Sequence, residues 1–148
     1  MGKQMNLLRG LSFSFFLVGC AGKLPSNLGV TEGLLSPCPK APHCVSTQSE
    51  KPGQKLEPLL FSSDLRTVHD ALLREIKKMK RTRILVDQPN YIHAEIRTAL
   101  LRFADDLEIF IDEDRNRVHF RSSSRYGYYD FGVNRKRVEA LKASLGKL

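Results

Sequence analysis

A transmembrane helix takes about 20 consecutive apolar residues, and none of the 148 residues here form such a run; the nearest, Leu11 to Val18, leans apolar over only eight. With 41% hydrophobic and 27% charged residues and a mean hydropathy of −0.30, a helical integral membrane domain is excluded. Cysteine is scarce, with only Cys20, Cys38 and Cys44 present, and there is no internal repeat. A hydrolase triad is missing too. Ser122, Ser123 and Ser124 have no histidine or lysine at a telling spacing, and His43, His69, His93 and His119 are scattered. These histidines read as solvated or half-buried side chains rather than ligands. Acidic residues are in the minority, 16 against 24 basic, for a formal charge of +8. Such a balance favours acidic partners, whether nucleic acid, lipid headgroups or phosphorylated sugars, without choosing among them.

What is present begins with a leader. Lys3 and Arg9 form a positive head, Leu11 to Val18 a short apolar stretch, and small Gly19 precedes Cys20. Leu17-Val18-Gly19-Cys20 resembles the lipobox of bacterial lipoproteins, in which the cysteine is acylated and becomes the new N-terminus. That resemblance implies removal of residues 1–19 and a membrane anchor on Cys20. Ala21 stands where retention signals place Asp, so the expected address is the outer membrane, facing the periplasm. Several acyl chains hold such a protein firmly, at about 0.8 kcal/mol per buried methylene. Without the leader the chain carries +6, with 22 basic against 16 acidic residues.

Residues 20–36 lack periodicity and carry Gly, Pro and Ser, which predicts a flexible tether; residues 37–58 are irregular and proline-rich. Regular structure is expected from Ser62 or Ser63 as a helix cap, with Asp64 in the first turn. Leu65, Val68, Leu72, Ile76 and Met79 recur at helical spacing, and Lys77, Lys78, Lys80 and Arg81 close the helix. That basic end reads as a solvated helix terminus, or as a contact for acidic headgroups of the home membrane. Four strands follow. Thr82 to Asp87 holds Ile84-Leu85-Val86. Tyr91 to Arg97 alternates Ile92, Ala94 and Ile96 against His93, Glu95 and Arg97. Leu107, Ile109 and Ile111 repeat the pattern, and Val118 and Phe120 form the fourth inward pair. A last helix, capped by Asn134, buries Val138, Leu141 and Leu145. The expected fold over residues 37–148 is a single α+β domain, a four-stranded antiparallel meander with two helices packed on one face.

Cys38 and Cys44 are the pair that remains once Cys20 is acylated, and export places them in an oxidising space, so a disulfide is expected. Metal binding by Cys38, His43 and Cys44 is the rival, though no fourth ligand recurs at a convincing spacing, and a catalytic thiol is a third reading. Neither a metal nor a cofactor is expected.

Two segments are odd for purely structural material. One is Asp105-Asp106-Leu107-Glu108; the other runs from Arg121 to Arg137 and mixes arginines, hydroxyls, aromatics and glycines. Arg135, Lys136 and Arg137 fill the first turn of the last helix, where cations oppose the helix dipole at a few tenths of a kcal/mol each. Something must offset them. One reading is an ion-pair network that pins the helix to the sheet. Another is an anion site in which Arg121, Arg125, Arg135 and Arg137 contact the ligand and Tyr128 lines the pocket. Asp105, Asp106, Glu108, Asp130 and Asn134 would then orient the arginines, with helix amides adding to the site. A third is a hydrolase or transferase using Asp105, Asp106 or Glu108 for acid–base or metal-assisted chemistry.

At these residues the chain resembles the domain of unknown function 1499 family. The likeness rests on Pro37-Cys38-Pro39 with Pro42 and Cys44-Val45-Ser46, on Asp105-Asp106-Leu107-Glu108, and on the run from Arg121 to Arg137. It spans roughly residues 36–146, with departures at His43 (for Asn), Thr47 (for Ser) and Tyr129 (for Ser). The resemblance implies an exported or membrane-associated protein and no settled activity. The expected role is a non-enzymatic envelope lipoprotein that binds an anionic small molecule, a lipid headgroup or an envelope protein. Nucleic acid is not expected outside the cytoplasm.

Overall fold

The computed structural model of the chain describes residues 23–146 and Leu148. A small hairpin of β1 (Val30–Thr31) and β2 (Leu34–Leu35) comes first, followed by β3 (Cys44–Ser46) and β4 (Leu59–Leu60). Then come α1 (Leu65–Lys78), β5 (Thr82–Gln88), β6 (Tyr91–Arg97), β7 (Ala104–Asp112), β8 (Arg117–Ser124) and α2 (Val133–Leu145). The α+β class and the antiparallel meander with two helices are as the sequence predicts, but the sheet has six strands rather than four. β3 and β4 pair antiparallel with β8 beyond the meander, in the order β3-β8-β7-β6-β5.

The core follows from strand alternation. Ile92, Ala94, Ile96, Leu107, Ile109, Ile111, Val118 and Phe120 share one face of the sheet. There they pack with Val68, Leu72 and Ile76 of α1 and Val138 and Leu141 of α2 in one cluster. Fully burying side chains of this size stabilises by about 1.5–3 kcal/mol each.

Polar alternation on the other strand positions predicts a second face in water. The structure corrects this: β7 is buried along its whole length, and β6 everywhere but Arg97. The chain before β4 lies over that face. Leu35 packs on Tyr91 and Phe110, the Gly29 amide donates to Glu108 Oε1 at 2.8 Å, and Thr47 Oγ1 lies 3.1 Å from His119 Nδ1. So residues 30–35, within the stretch read as a tether, form a hairpin docked through buried Leu35, and the residues between Cys44 and Leu56 contribute both a strand and core side chains. Alternation reports the polarity of a face and not what covers it. His93 and His119 are accordingly buried, not solvated.

Both helix starts differ from the reading by a residue or two. Asp64 itself caps α1, its Oδ1 accepting from the Thr67 amide at 3.0 Å and its Oδ2 from Thr67 Oγ1 at 2.7 Å. At α2 the turn is made by Gly132, whose φ of 74° is the left-handed region that glycine adopts without steric cost. Asp130 accepts from the amides of Gly132 at 3.0 Å and Asn134 at 2.8 Å. Asn134 is therefore inside the first turn, and the carboxylate that the dipole favours comes from the preceding loop.

Cys38 and Cys44 are disulfide-bonded, their Cα atoms 5.6 Å apart, which removes both thiols from metal or catalytic chemistry. The bridge ties down the proline-rich approach to β3. For so short a loop its removal in a Cys38→Ser/Cys44→Ser variant is expected to cost about 2 kcal/mol. Urea midpoints compared with the oxidised parent measure this, and an unchanged midpoint would show the loop to be held by its other contacts alone.

Candidate functional site

Adjacent residues of a strand point to opposite faces, so Asp105-Asp106-Leu107-Glu108 cannot act as one cluster. Register completes the separation. Asp105 stands opposite Ile96 and Ser124, on the helix side; Asp106 stands opposite Glu95 and Ser123, on the other. The arginines divide in the same way.

On the face away from the helices, Arg125 bridges two carboxylates. Its Nε and Nη2 donate to Asp106 Oδ2 and Oδ1 at 2.8 and 2.6 Å, and its Nη1 donates to Glu95 Oε2 at 2.8 Å. His93 Nε2 lies 2.7 Å from Asp106 Oδ1, and Arg97 Nε donates to Glu95 Oε1 at 2.9 Å. Beside them Glu108, wholly buried, accepts from Arg121 Nη1 at 2.7 Å, and from Tyr91 Oη and the Gly29 amide at 2.8 Å each. Three carboxylates thus meet three guanidiniums. Among the described residues Arg121 Nε is a buried donor without a partner.

Under α2 the set is smaller. Arg137 Nη2 donates to Asp105 Oδ2 at 2.5 Å and its Nη1 to Ser122 Oγ at 3.0 Å. Asn134, fully buried, accepts from Ser122 Oγ at 2.6 Å and donates to the His43 carbonyl and Ser124 Oγ at 3.0 Å each. This clamps the start of α2 to β8 and to the segment before β3. Of the three cations read as first-turn, Arg137 lies beyond that turn because the helix starts at Val133, and it is neutralised by Asp105. Arg135 donates to the carbonyls of Gly53 and Lys55 at 3.1 Å, and Lys136 is exposed. Tyr128 lines neither group: it is 75% exposed. Cys20 and the leader lie outside the described residues.

The ionisation states follow from these partners. Burial by itself would raise Asp106 and Glu95. For Asp106 the hydrogen bonds from Arg125 and His93 outweigh it, and for Glu95 those from Arg97 and Arg125, with their charges, so both carboxyls lie below the ordinary carboxylate range. Asp106 in turn holds the Arg125 guanidinium above its usual value. Burial, and then the Glu108 charge, push the Tyr91 phenol far above its usual value. Burial also lowers His119, against the opposing pull of Asp112. A base depressed in the fold loses stability as pH falls below its unfolded value, about 6.5 for histidine, because only the unfolded chain then takes up the proton. Depressed carboxylates do the same below about pH 4 to 5, where Asp106 and Glu95 protonate first in the unfolded chain. Unfolding free energy measured in urea is therefore expected to drop in two windows between pH 7 and 3. A His119→Gln variant should lack the upper one; a profile already flat there in the parent would show that His119 titrates alike in both states.

Among the described residues no three His, Cys, Asp or Glu side chains are gathered as a metal would need. The carboxylates that could do acid–base work are buried and paired with arginines. What the sequence reading missed lies at one end of the sheet, where the β6–β7 and β8–α2 loops meet. They line a cleft of about 320 Å³ formed by Leu100, Leu101, Phe103, Tyr129, Phe131 and neighbours, most of them exposed. The signal was available in Leu100-Leu101 beside Arg102, two leucines outside any periodic stripe.

A family model described as "Protein of unknown function (DUF1499)" matches residues 34–145, and the chain belongs to that family. No curated protein matches it.

Proposed function

We propose that this family member is a lipid-anchored protein of a bacterial cell envelope, held through Cys20 in the outer membrane on the periplasmic side. Its folded domain acts by binding rather than catalysis. The anchor reading rests on the charged head, apolar stretch and Leu17-Val18-Gly19-Cys20 of the leader, and the Cys38–Cys44 bridge agrees with an oxidising compartment. Intact mass of protein extracted from membranes tests it; an unmodified Cys20 would sink it.

One observation carries the binding reading. The conspicuous acids and arginines neutralise one another inside the protein, whereas Lys80, Arg81, Arg102 and Lys136 stand exposed together at the end of the sheet where α2 begins. Arg135 and Lys136 there suit an anionic envelope component, although Asp130 already caps the first amides of the helix. The competing reading, a hydrolase or transferase working through Asp105, Asp106 or Glu108, requires the buried pairs to open first.

Thermal melting with inorganic phosphate, sugar phosphates, nucleotides and divalent cations separates the two, since a ligand of the folded state must raise the midpoint. A rise with phosphorylated compounds that an Arg135→Ala/Lys136→Ala variant loses is expected, the variant's own midpoint falling only by what the Arg135 bonds to the Gly53 and Lys55 carbonyls contribute. A rise with Mg²⁺, Ca²⁺ or Mn²⁺ alone would favour the enzyme, and no rise with anything would reduce the charged residues to scaffold.

A further inference from the structure

We infer that the apolar loops at this end of the domain dip into the surface of an anionic bilayer, the lipid headgroups being the anions that the surface cations meet. This rests on the binding reading above and narrows its ligand.

The antiparallel register brings three connections to one end: α1 to β5 (residues 79–81), β6 to β7 (98–103) and β8 to α2 (125–132). From them project Leu100 at 89% exposure, Phe131 at 81% and Tyr128 at 75%, with Leu101, Phe103, Tyr126, Tyr129 and Val133 around them. The side chains form a patch rather than scattered points. Phe103 and Tyr126 have ring centroids 6.0 Å apart, Tyr129 and Phe131 meet edge to face at 5.2 Å, and the two loops share the cleft. A contiguous exposed apolar patch marks an interaction surface. Tyrosine with phenylalanine and leucine is the mixture that settles at a membrane interface, polar tip in the headgroups and ring below.

Charge selects lipid over the other occupants. Lys80, Arg81, Arg102 and Lys136 are exposed at this end, and Arg97 and Arg135 partly so. The only acid in the three connections is Asp130, whose carboxylate is bonded to the α2 amides. The opposite end has acids in excess: Asp64, Asp70, Asp87 and Glu113 are exposed around one cleft with Arg66, and the β7–β8 turn adds Asp114 beside Arg115 and Arg117. The greasy tip is thus the more positive end of the strands, as an anionic surface would orient it. A second copy docked on the same face would set like charges opposite one another.

The chain has four tyrosines and no tryptophan; Tyr91 is buried and the other three are in the patch, so intrinsic emission reports the patch. The full chain is mixed with phosphatidylcholine vesicles, with or without phosphatidylglycerol, whose acyl chains are brominated. Phosphatidylglycerol vesicles are expected to quench the patch tyrosines and leave the Tyr91 component, neutral vesicles much less. Leu100→Asp/Phe131→Asp should lose the quenching at an unchanged melting temperature. Vesicles that carry the protein through its leader but leave the emission unquenched would overturn the inference. If soluble phosphates still raise the melting temperature in that case, the binding reading stands without it; if they do not, both fall. A concentration-dependent dimer in lipid-free sedimentation that Phe131→Asp abolishes would give the surface to a second copy and equally overturn it.

Discussion

Arg125→Ala is expected to destabilise the domain by about 3–5 kcal/mol, among the largest effects that any side chain of the charged network should show. The magnitude comes from what is left behind more than from what is lost. Arg125 has a side chain 4% exposed and contacts both Asp106 and Glu95, themselves 2% and 6% exposed. Without it Asp106 keeps His93 and Glu95 keeps Arg97 at the edge of the sheet, so two carboxylates remain out of water with one strong partner fewer. Arg125→Lys should recover only part, because one ammonium cannot reproduce a planar fork donating to three oxygens. The expected companion effect is on acid sensitivity. With the main cause of its lowered ionisation gone, Asp106 protonates at a higher pH in the fold, and the carboxylate contribution to stability shrinks. Urea unfolding of parent and variants at pH 7 and 5 measures both. A loss under about 1 kcal/mol would mean that water enters and solvates the acids, and that the network is not structural.

Glu108→Ala should cost a similar amount, about 3–5 kcal/mol, for the complementary reason. Glu108 is the shared acceptor of Arg121, Tyr91 and the Gly29 amide, and its removal strands a buried cation together with two donors from different parts of the chain. The Gly29 bond also fastens the segment leading into the β1–β2 hairpin over this face, so faster amide exchange at Gly29 and Leu35 should accompany the loss. Glu108→Gln keeps an acceptor and should lose less. The informative control is Glu108→Leu/Arg121→Leu, which removes both charges and fills their volume with apolar atoms. It is expected to be more stable than Glu108→Ala, as replaced buried pairs often are. A double variant no better than the single one would mean that Tyr91 and Gly29, not the stranded arginine, account for the cost.

Much of this architecture was legible in the residues. The spacing of Leu65, Val68, Leu72 and Ile76 marks the helix face that packs on the sheet, and the alternation of Ile92-Ala94-Ile96 and Leu107-Ile109-Ile111 marks the strand face that receives it. The scarcity of cysteine, with the export expected from the leader, points to the Cys38–Cys44 pair. The misplaced cations at the start of α2 called for an offset, by acids or by an anionic ligand; Asp105 pairs with Arg137, and Asp130 accepts from the first amides of the helix. Less legible was which acid meets which arginine. Asp105 and Asp106 are neighbours in the chain and strangers in space, and only the register with β6 and β8 sends one to Arg137 and the other to Arg125.

The linear order of side chains by itself determined the two helices, the four strands of the meander, the apolar face and the class of fold, because periods of 3.6 and 2 are local properties, and its few cysteines pointed to the disulfide. Tertiary structure alone decided that the polar face is covered, that its charges are paired inside, and that Lys80, Arg81, Arg102 and Lys136 share one end with the exposed apolar side chains. Those outcomes depend on segments far apart in sequence, Gly29 on Glu108 and the β6–β7 loop beside the β8–α2 loop, and no local pattern encodes a contact between them. Burial is a property of what arrives on top.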